Sequence, residues 1–216
     1  KEEAGRGMAV DGDGDRGLVV DANGEIVDGD EIVYIIARYR QQTGQGCNGV
    51  AGTQMSNLGL EIALRDLGIP FQRTKVGDRY VVEALKENGW ILGGEASGHI
   101  LCSDLNTTGD GLVSALQVIL ALRERGIPLS ELKAGMQQLP QTMINVRLSE
   151  KVAIDDNKAI NSAVAAAEKE LGDRGRVLLR PSGTEPLIRV MAEGEDQDLV
   201  RRQVEAIAKI VEQQVG

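Results

Sequence analysis

Hydrophobic residues along the chain form short continuous runs that alternate with longer amphipathic segments. The short runs have the length and composition of buried strands, and they occupy residues 8–10, 18–20, 90–92 and 100–102. A further strand is expected around residues 47–51. The amphipathic segments have helical length, and helix N-caps are expected at Asp28 or Asp30, at Ser56 and at Asp78. This alternation of strand and helix predicts a three-layer α/β domain in which helices cover a mostly parallel sheet.

The pattern changes around Pro140. Residues 142–148 alternate between apolar and polar side chains, as in a half-buried strand, and an alanine-rich helical segment follows at residues 157–171. Two more strands, at residues 176–179 and 187–192, precede a last helix. Strands and helices in this order predict a small two-layer α+β domain at the C-terminus.

We therefore expect three segments, which comprise residues 1–25, 26–139 and 140–216. The first segment holds a short buried strand at residues 7–10, but no earlier element is available to pair with it, and a strand needs neighbours. We expect the chain to be the C-terminal part of a longer polypeptide.

The loop at residues 11–16, with the sequence DGDGDR, separates the first two predicted strands. Asp11, Asp13 and Asp15 alternate along it, so their carboxylates project to one side, and the glycines between them allow a turn tight enough for the carboxylates to converge. Mg²⁺ is usually held by a few carboxylates together with a substrate phosphate. Arg16 suits contact with such a phosphate. The loop therefore predicts a Mg²⁺ site that a phosphate completes.

Three other interpretations compete with the magnesium site. A calcium-binding EF-hand begins with the same spacing, but it needs Gly and Glu where this chain has Arg16 and Ala22, so it fails. A phosphatase of the haloacid dehalogenase type would use Asp11 as its nucleophile, and it expects Thr or Val in place of Asp15. An acidic surface turn is the third interpretation, since short motifs also occur by chance.

A second polar loop, at residues 93–99, lies between two apolar strands. Its glycines allow close approach of the backbone, and Glu95 and Ser97 can hydrogen-bond sugar hydroxyls. His99 is the only histidine of the chain, and a histidine can exchange a proton near neutral pH, although a purely structural role is the alternative. Weaker substrate-binding candidates are Gly77, Asp78 and Arg79.

A third polar loop, at residues 180–186, also lies between two predicted strands. Two arginines, short hydroxyl side chains and a glycine suit a phosphate, because backbone amides in such a turn form an anion-binding concavity. The candidate residues are Arg180, Ser182, Gly183, Thr184 and Arg189. The alternative is an ordinary hairpin loop, which has no need for this polar density.

Composition narrows the classes of partner. The chain has 216 residues, 42% of them hydrophobic, which is enough to bury a sizeable core. The net charge of -9 argues against nucleic acid or an anionic membrane as a partner, so any anion must be captured locally.

Cys47 and Cys102 lie in apolar stretches and fit reduced thiols of a cytoplasmic protein. No apolar run approaches the roughly 20 residues of a membrane span.

The three polar loops, in this order, resemble those of the α-D-phosphohexomutase superfamily, and most closely its bacterial branch that acts on amino-sugar phosphates. Residues 11–16 look like the magnesium loop of the family, residues 95–99 like its sugar-binding loop, and residues 180–185 like its phosphate-binding loop. The resemblance implies a four-domain enzyme. The three segments of this chain would supply the end of domain 2, domain 3 and domain 4.

The resemblance also implies roles for individual residues, with Mg²⁺ as the cofactor. Asp11, Asp13 and Asp15 would be the metal ligands. Arg16 would neutralise charge during phosphate transfer, and His99 would touch the substrate, whether or not it moves a proton. Glu95 and Ser97 would contact the sugar, and the candidates of the third loop would contact phosphate.

One departure from the family concerns the nucleophile. Family members transfer phosphate through a phosphorylated serine in a Thr/Ser-Ala-Ser-His-Asn-Pro segment of domain 1, and this chain contains no such segment. The implied reaction interconverts glucosamine 6-phosphate and glucosamine 1-phosphate through a bisphosphate intermediate. We therefore expect the isolated chain to bind a hexosamine phosphate without turnover. The N-terminal domains of the same protein would be its partner, and a homodimer is also possible.

The runner-up is a phosphomannomutase or phosphoglucomutase. Such enzymes tend to carry Ala-Ser-Asn where this chain has Pro181, Ser182 and Gly183, which favours the amino-sugar branch. The phosphatase alternative predicts release of inorganic phosphate, with loss of activity in Asp11→Asn.

Overall fold

The computed structural model describes residues 7–148, 157–182 and 185–215. The chain divides into two compact units, residues 1–137 and 138–216, and each unit has its own hydrophobic core. Within the described residues, no helix combines the length and the apolar character needed to cross a membrane.

The first unit begins with a small antiparallel sheet of three strands in sequence order. The strands are β1 (Gly7–Val10), β2 (Gly17–Val20) and β3 (Ile26–Val27). Gly24, with φ +85°, provides the left-handed residue of the predicted hairpin turn between β2 and β3. The prediction that the first strand is buried is wrong. All four residues of β1 are exposed, because β1 lies at the edge of the sheet and pairs only with β2.

A four-stranded sheet forms the centre of the first unit. Its strands are β4 (Val50–Thr53), β5 (Phe71–Thr74), β6 (Leu92–Gly94) and β7 (Ile100–Cys102). The spatial order is β5-β4-β6-β7. Both neighbours of β4 run parallel to it, whereas β7 runs antiparallel to β6. The mostly parallel sheet predicted from the sequence is therefore confirmed.

Helices cover both faces of this sheet. They are α1 (Gly29–Gln42), α2 (Leu58–Asp66), α3 (Asp78–Asn88), α4 (Gly111–Arg125) and α5 (Leu129–Lys133). Val50 and Leu92 belong to the core cluster that includes the buried residues of α1, while Ala51 and Leu101 pack with those of α3. Successive strand residues point to opposite faces, so this division gives the three predicted layers.

Helix starts differ from prediction at two positions. Asn57, not Ser56, caps α2, because the Ser56 hydroxyl instead accepts a hydrogen bond from the Thr53 amide at 3.2 Å. Gly77 is the N-cap of α3, and Asp78 is its first residue. Asp28 caps α1 as predicted, and its capping box includes Glu31.

Two predicted strands also start later than expected. The strand predicted at residues 47–51 begins at Val50, and the strand predicted at residues 90–92 begins at Leu92. Ladder pairing starts only where β4 and β6 come into register, with Val50 opposite Leu92.

The second unit is a two-layer α+β domain, as predicted. Its elements are β8 (Gln141–Arg147), α6 (Lys158–Leu171), β9 (Gly175–Pro181), β10 (Leu187–Gly194) and α7 (Gln197–Val215). β10 lies between β8 and β9 and is antiparallel to both. Ile160 of α6 and Val200 and Val204 of α7 are fully buried with Ile188 and Val190 of β10, so both helices pack on one sheet.

Candidate functional site

The acidic loop, residues 11–16, connects β1 and β2 and is held by hydrogen bonds of its own. Asp11 Oδ1 accepts hydrogen bonds from the amides of Gly14 at 3.0 Å and Arg16 at 3.4 Å. The Arg16 guanidinium also lies 3.7 Å from Asp11 Oδ2. Loss of solvation raises the pKa of Asp11, but these hydrogen bonds, a contact with Asp15 and the charge of Arg16 outweigh it and lower the pKa overall. Asp11 is therefore kept ionised.

Glycines join the acidic loop to residues 95–99, which are called the sugar loop after their predicted role, and to the start of α4. The Gly17 amide donates to the Gly98 carbonyl at 3.0 Å, and the Gly111 amide donates to the Gly14 carbonyl at 2.9 Å. A Cβ atom at Gly98 would lie 2.3 Å from the Gly17 carbonyl oxygen, and one at Gly111 would lie 2.7 Å from that of Arg16. Only glycine lets these three backbone segments approach so closely.

The two loops also meet through a side-chain pair in which the histidine is buried and the aspartate is partly exposed. His99 Nδ1 lies 3.2 Å from Asp15 Oδ2, and the histidine side chain is only 8% exposed. Asp15 Oδ1 and His99 Nε2 are buried without a hydrogen-bond partner within the described part of the chain. Gly109 packs against the other edge of the imidazole, since a Cβ there would lie 2.3 Å from Nε2. His99 thus orients Asp15 at the junction.

The acidic loop has the donor atoms for a divalent cation, but its three carboxylates do not converge on one point in the described structure. Asp13 is exposed, and one oxygen of Asp11 is occupied by backbone amides. Across the described ranges, no three or more His, Cys, Asp or Glu side chains stand close enough together to hold a metal ion. Asp15 Oδ1, buried and without a partner, suits a cation ligand. Asp15 thus supplies one oxygen that suits Mg²⁺, and the site formed by all three carboxylates stays a prediction.

Glu95 connects the sugar loop to the segment before α3. Its Oε1 accepts a hydrogen bond from the Gly77 amide at 3.0 Å, and its Oε2 lies 3.5 Å from the Ser97 hydroxyl. Asp78 and Arg79 are exposed, and the Asp78 carboxylate accepts a hydrogen bond from the Arg79 amide at 2.6 Å. The structure therefore brings Glu95, Ser97 and Gly77 together and leaves Asp78 and Arg79 on the surface.

The sheet topology explains why these loops are neighbours. β4, β5 and β6 are parallel, so their carboxyl ends lie at one edge of the sheet. In the order β5-β4-β6-β7, the chain leaves β4 to one side to form β5 and returns on the other side to form β6. Such a switch point opens a crevice in which open α/β sheets bind ligands. The turn that starts at the last residue of β4, residues 53–57, lies at this edge as well, and sequence patterns identified it only as a helix start.

Two arginines of the second unit face each other on paired strands. Arg180 of β9 and Arg189 of β10 are cross-strand partners, and the Nε atoms of both are buried without a hydrogen-bond partner among the described residues. Burial lowers the pKa of Arg180, and the charge of Arg189 lowers it further. Like charges directly opposite each other destabilise a sheet. An anion bound between them would relieve this repulsion.

Ser182 follows β9 and starts the connection to β10. It is buried, its amide donates to the Leu187 carbonyl at 2.8 Å, and its hydroxyl accepts a hydrogen bond from the Glu185 amide at 3.3 Å. Gly183 and Thr184, the other predicted phosphate contacts, lie outside the described residues. Arg180, Ser182 and Arg189 thus share one end of the β9–β10 hairpin.

A mostly parallel α/β sheet covered by helices, followed by a small two-layer α+β unit, is the class of fold found in domains III and IV of phosphohexomutases. The chain belongs to the phosphoglucomutase/phosphomannomutase family. Residues 28–139 match the α/β/α domain III of that family, and residues 143–210 match its C-terminal domain. The resemblance inferred from the three loops is confirmed.

Curated relatives are bacterial phosphoglucosamine mutases. That of Hahella chejuensis is 62% identical over 206 residues, which cover 95% of this chain and 46% of the relative. That of Cellvibrio japonicus is 56% identical over 206 residues, with the same shares. The chain therefore spans about half the length of these relatives.

A similar fold occurs in the crystal structure of Aspergillus fumigatus N-acetylphosphoglucosamine mutase in complex with GlcNAc-6P and magnesium. The TM-score is 0.80 at 22% identity, and the match covers 95% of this chain and 52% of the fungal one. At this identity the match shows the fold alone.

Proposed function

We propose that the chain is the metal-, sugar- and phosphate-binding part of a phosphoglucosamine mutase, which interconverts glucosamine 6-phosphate and glucosamine 1-phosphate with Mg²⁺. The observation that carries the proposal is the junction of the acidic loop and the sugar loop, where Asp15 meets His99. The names of the curated relatives support the choice of an amino sugar.

Each region has its own task in this proposal. Asp11, Asp13 and Asp15 hold Mg²⁺, which supplies positive charge against a transferring phosphoryl group. Glu95 and Ser97 bind sugar hydroxyls next to that position, since both are polar and lie on one loop with His99. Arg16 is half exposed beside the acidic loop and can reach a phosphate oxygen.

The second unit binds a phosphate that is not reacting. Arg180 and Arg189 present two guanidiniums with unused donors, and Ser182 adds a hydroxyl at the same end of the hairpin. Charge-assisted hydrogen bonds to a phosphate are about twice as strong as neutral ones, so a dianionic ligand suits this place.

The reactive serine that the resemblance implies is not in this sequence, so we propose that the isolated chain binds without turnover. Phosphorus NMR of the chain with glucosamine 6-phosphate, Mg²⁺ and a trace of hexose bisphosphate tests this. We expect the substrate resonance to broaden or shift with no new signal. A growing anomeric-phosphate signal would contradict binding without turnover. Inorganic phosphate would support the phosphatase, and an unperturbed substrate line would contradict binding of the sugar phosphate.

A further inference from the structure

The first turn of α1 contacts two loops at the carboxyl edge of the central sheet. The Gly29 amide donates to the Ala96 carbonyl of the sugar loop at 3.1 Å. One residue further along, Asp30 Oδ2 accepts a hydrogen bond from the Asn57 amide at 2.8 Å. A Cβ atom at Gly29 would lie 2.0 Å from the Glu95 carbonyl oxygen, so helix and loop are in direct contact.

Asp30 is a buried carboxyl group that the proposed function does not yet use. The residue is 1% exposed. Burying a carboxyl group is costly unless hydrogen bonds compensate, and the compensation here comes from the turn after β4. That turn, residues 53–57, is itself buried at Thr53, Ser56 and Asn57.

Further hydrogen bonds fix the same turn. The Thr53 amide donates to the Ser56 hydroxyl at 3.2 Å, and the Met55 amide donates to the Thr53 hydroxyl at 3.1 Å. Arg73 of β5 donates to the Ser56 carbonyl at 2.6 Å and to the Thr53 carbonyl at 3.2 Å. A buried polar network of this kind, when satisfied, specifies one conformation.

The position of the turn relates it to the predicted ligand site. The turn follows β4 and the sugar loop follows β6. The switch point lies between the carboxyl ends of these two strands, where open α/β sheets generally bind ligands. Gln54 and Met55, at the tip of the turn, are only partly buried, whereas the residues on either side are buried. The turn therefore offers two side chains at the edge where the sugar loop lies.

We propose that Asp30 is a positioning residue that holds the turn at residues 53–57 as a second wall of the sugar site, opposite the sugar loop. This rests on the proposed function, because it assumes that the crevice binds a hexosamine phosphate. Asp30 does not touch the ligand. It acts by accepting a hydrogen bond from the Asn57 amide, while the amide of its neighbour Gly29 donates a hydrogen bond to the sugar loop.

The test is a titration of the ¹⁵N-labelled chain with glucosamine 6-phosphate in the presence of Mg²⁺. The chemical shifts of the backbone amides are measured at each step of the titration. We expect the amides of residues 54–57 to shift together with those of residues 95–99. Asp30→Ala removes the acceptor and should weaken binding about tenfold, since small displacements of binding groups have large effects. Asp30→Asn keeps an oxygen that can accept from Asn57, and it should restore affinity to within about twofold of the original.

A matched control is Asp21→Ala. Asp21 is also a buried carboxyl group that accepts two backbone hydrogen bonds, from Asn23 at 2.8 Å and Glu25 at 2.9 Å, but it lies in the turn between β2 and β3. Asp21→Ala should lower the free energy of unfolding and leave the affinity for glucosamine 6-phosphate unchanged.

The outcomes separate this inference from the proposed function. If the sugar-loop amides shift but those of residues 54–57 do not, or if Asp30→Ala binds as tightly as the original chain, the positioning role is overturned and the sugar site stands. If no amide of the original chain shifts, the sugar-binding function is overturned, and the positioning role with it.

Discussion

The two regions that carry the predicted binding residues are built in opposite ways. In the first unit, glycine backbones in direct contact fix the acidic loop and the sugar loop, and the carboxylates extend from this frame. In the second unit, a regular antiparallel hairpin places Arg180 opposite Arg189, and the guanidiniums keep unused donors. The predicted site in the first unit is formed by close contact between backbones. The predicted site in the second unit is formed by positive charges that the fold leaves uncompensated.

This difference implies that the two regions respond differently to mutation. Added volume at the loop junction should damage the fold itself, because no flexible side chain can move aside for it. Removal of a charge from the arginine pair should leave the fold intact, because it relieves the repulsion between Arg180 and Arg189. Only the affinity for the ligand should fall. The following predictions test this contrast.

The largest effect is expected for Gly98→Ala. The new Cβ would lie 2.3 Å from the Gly17 carbonyl oxygen, and Gly98 has φ +91°, which an alanine rarely adopts. We expect a loss of about 4 kcal/mol in the free energy of unfolding of the first unit, because the cost of overpacking and the cost of the strained backbone add. Urea unfolding followed by the fluorescence of Trp90, the only tryptophan, reports on this unit.

Gly12→Ala is the matched control for that substitution. Gly12 lies in the acidic loop, and a Cβ atom there would meet no other atom within 4 Å, so the effect should stay within about 0.5 kcal/mol. Equal unfolding midpoints for the Gly12 and Gly98 variants would contradict the tight junction.

The second prediction compares two arginines of β9. Arg176 pairs with Glu193, which is completely buried, so Arg176→Met should cost about 3 kcal/mol by leaving a buried carboxylate without its arginine. Arg180→Met removes a charge that faces Arg189 and should change stability by less than about 1 kcal/mol, in the stabilising direction. Hydrogen exchange of the β10 amides measures both. A larger loss for Arg180→Met than for Arg176→Met would contradict the account.

The third prediction concerns pH. Burial raises the pKa of Asp30 to about 7, with a further contribution from the charge of Asp28, and the hydrogen bonds of Asn57 and Ser56 and the charge of Arg73 only partly oppose this. Because the folded pKa exceeds the unfolded one, the stabilising contribution is complete below the unfolded pKa and is lost as the pH rises through about 7.

Asp30→Asn isolates this contribution. Between pH 5 and pH 8 the original chain should lose about 2 kcal/mol more of its free energy of unfolding than the variant does. Urea unfolding of both chains at several pH values, again followed by Trp90, gives the difference. Parallel stability curves would show that Asp30 does not titrate in this range.

Much of the fold was predictable from local patterns. The strand and helix alternation indicated the mostly parallel sheet, and the change of order near Pro140 indicated the C-terminal unit. The polar loops were visible because Asp11, Glu95 and Arg180 each stand in dense polar clusters between apolar strands. Such signals are local in sequence and need no knowledge of tertiary contacts.

What the patterns missed depends on tertiary contacts. Ser56 has the composition of a helix cap, yet Thr53 uses its hydroxyl, so the cap moves to Asn57. Nothing local indicates that Asp30, which suits a cap equally well, is buried against the turn that Asn57 belongs to. The contact between Gly17 and Gly98 likewise joins segments that are distant in sequence.

We propose that the first region binds a cation and that the second region binds an anion. Calorimetric titrations with Mg²⁺ alone and with inorganic phosphate alone separate the two, in the original chain, in Asp13→Asn and in Arg180→Met. Arg202 is exposed, so Arg202→Met serves as the control for the loss of one positive charge. We expect Asp13→Asn to lose Mg²⁺ binding and keep phosphate binding, and Arg180→Met to do the reverse. Loss of both ligands in either variant, or of neither in both, would contradict the account.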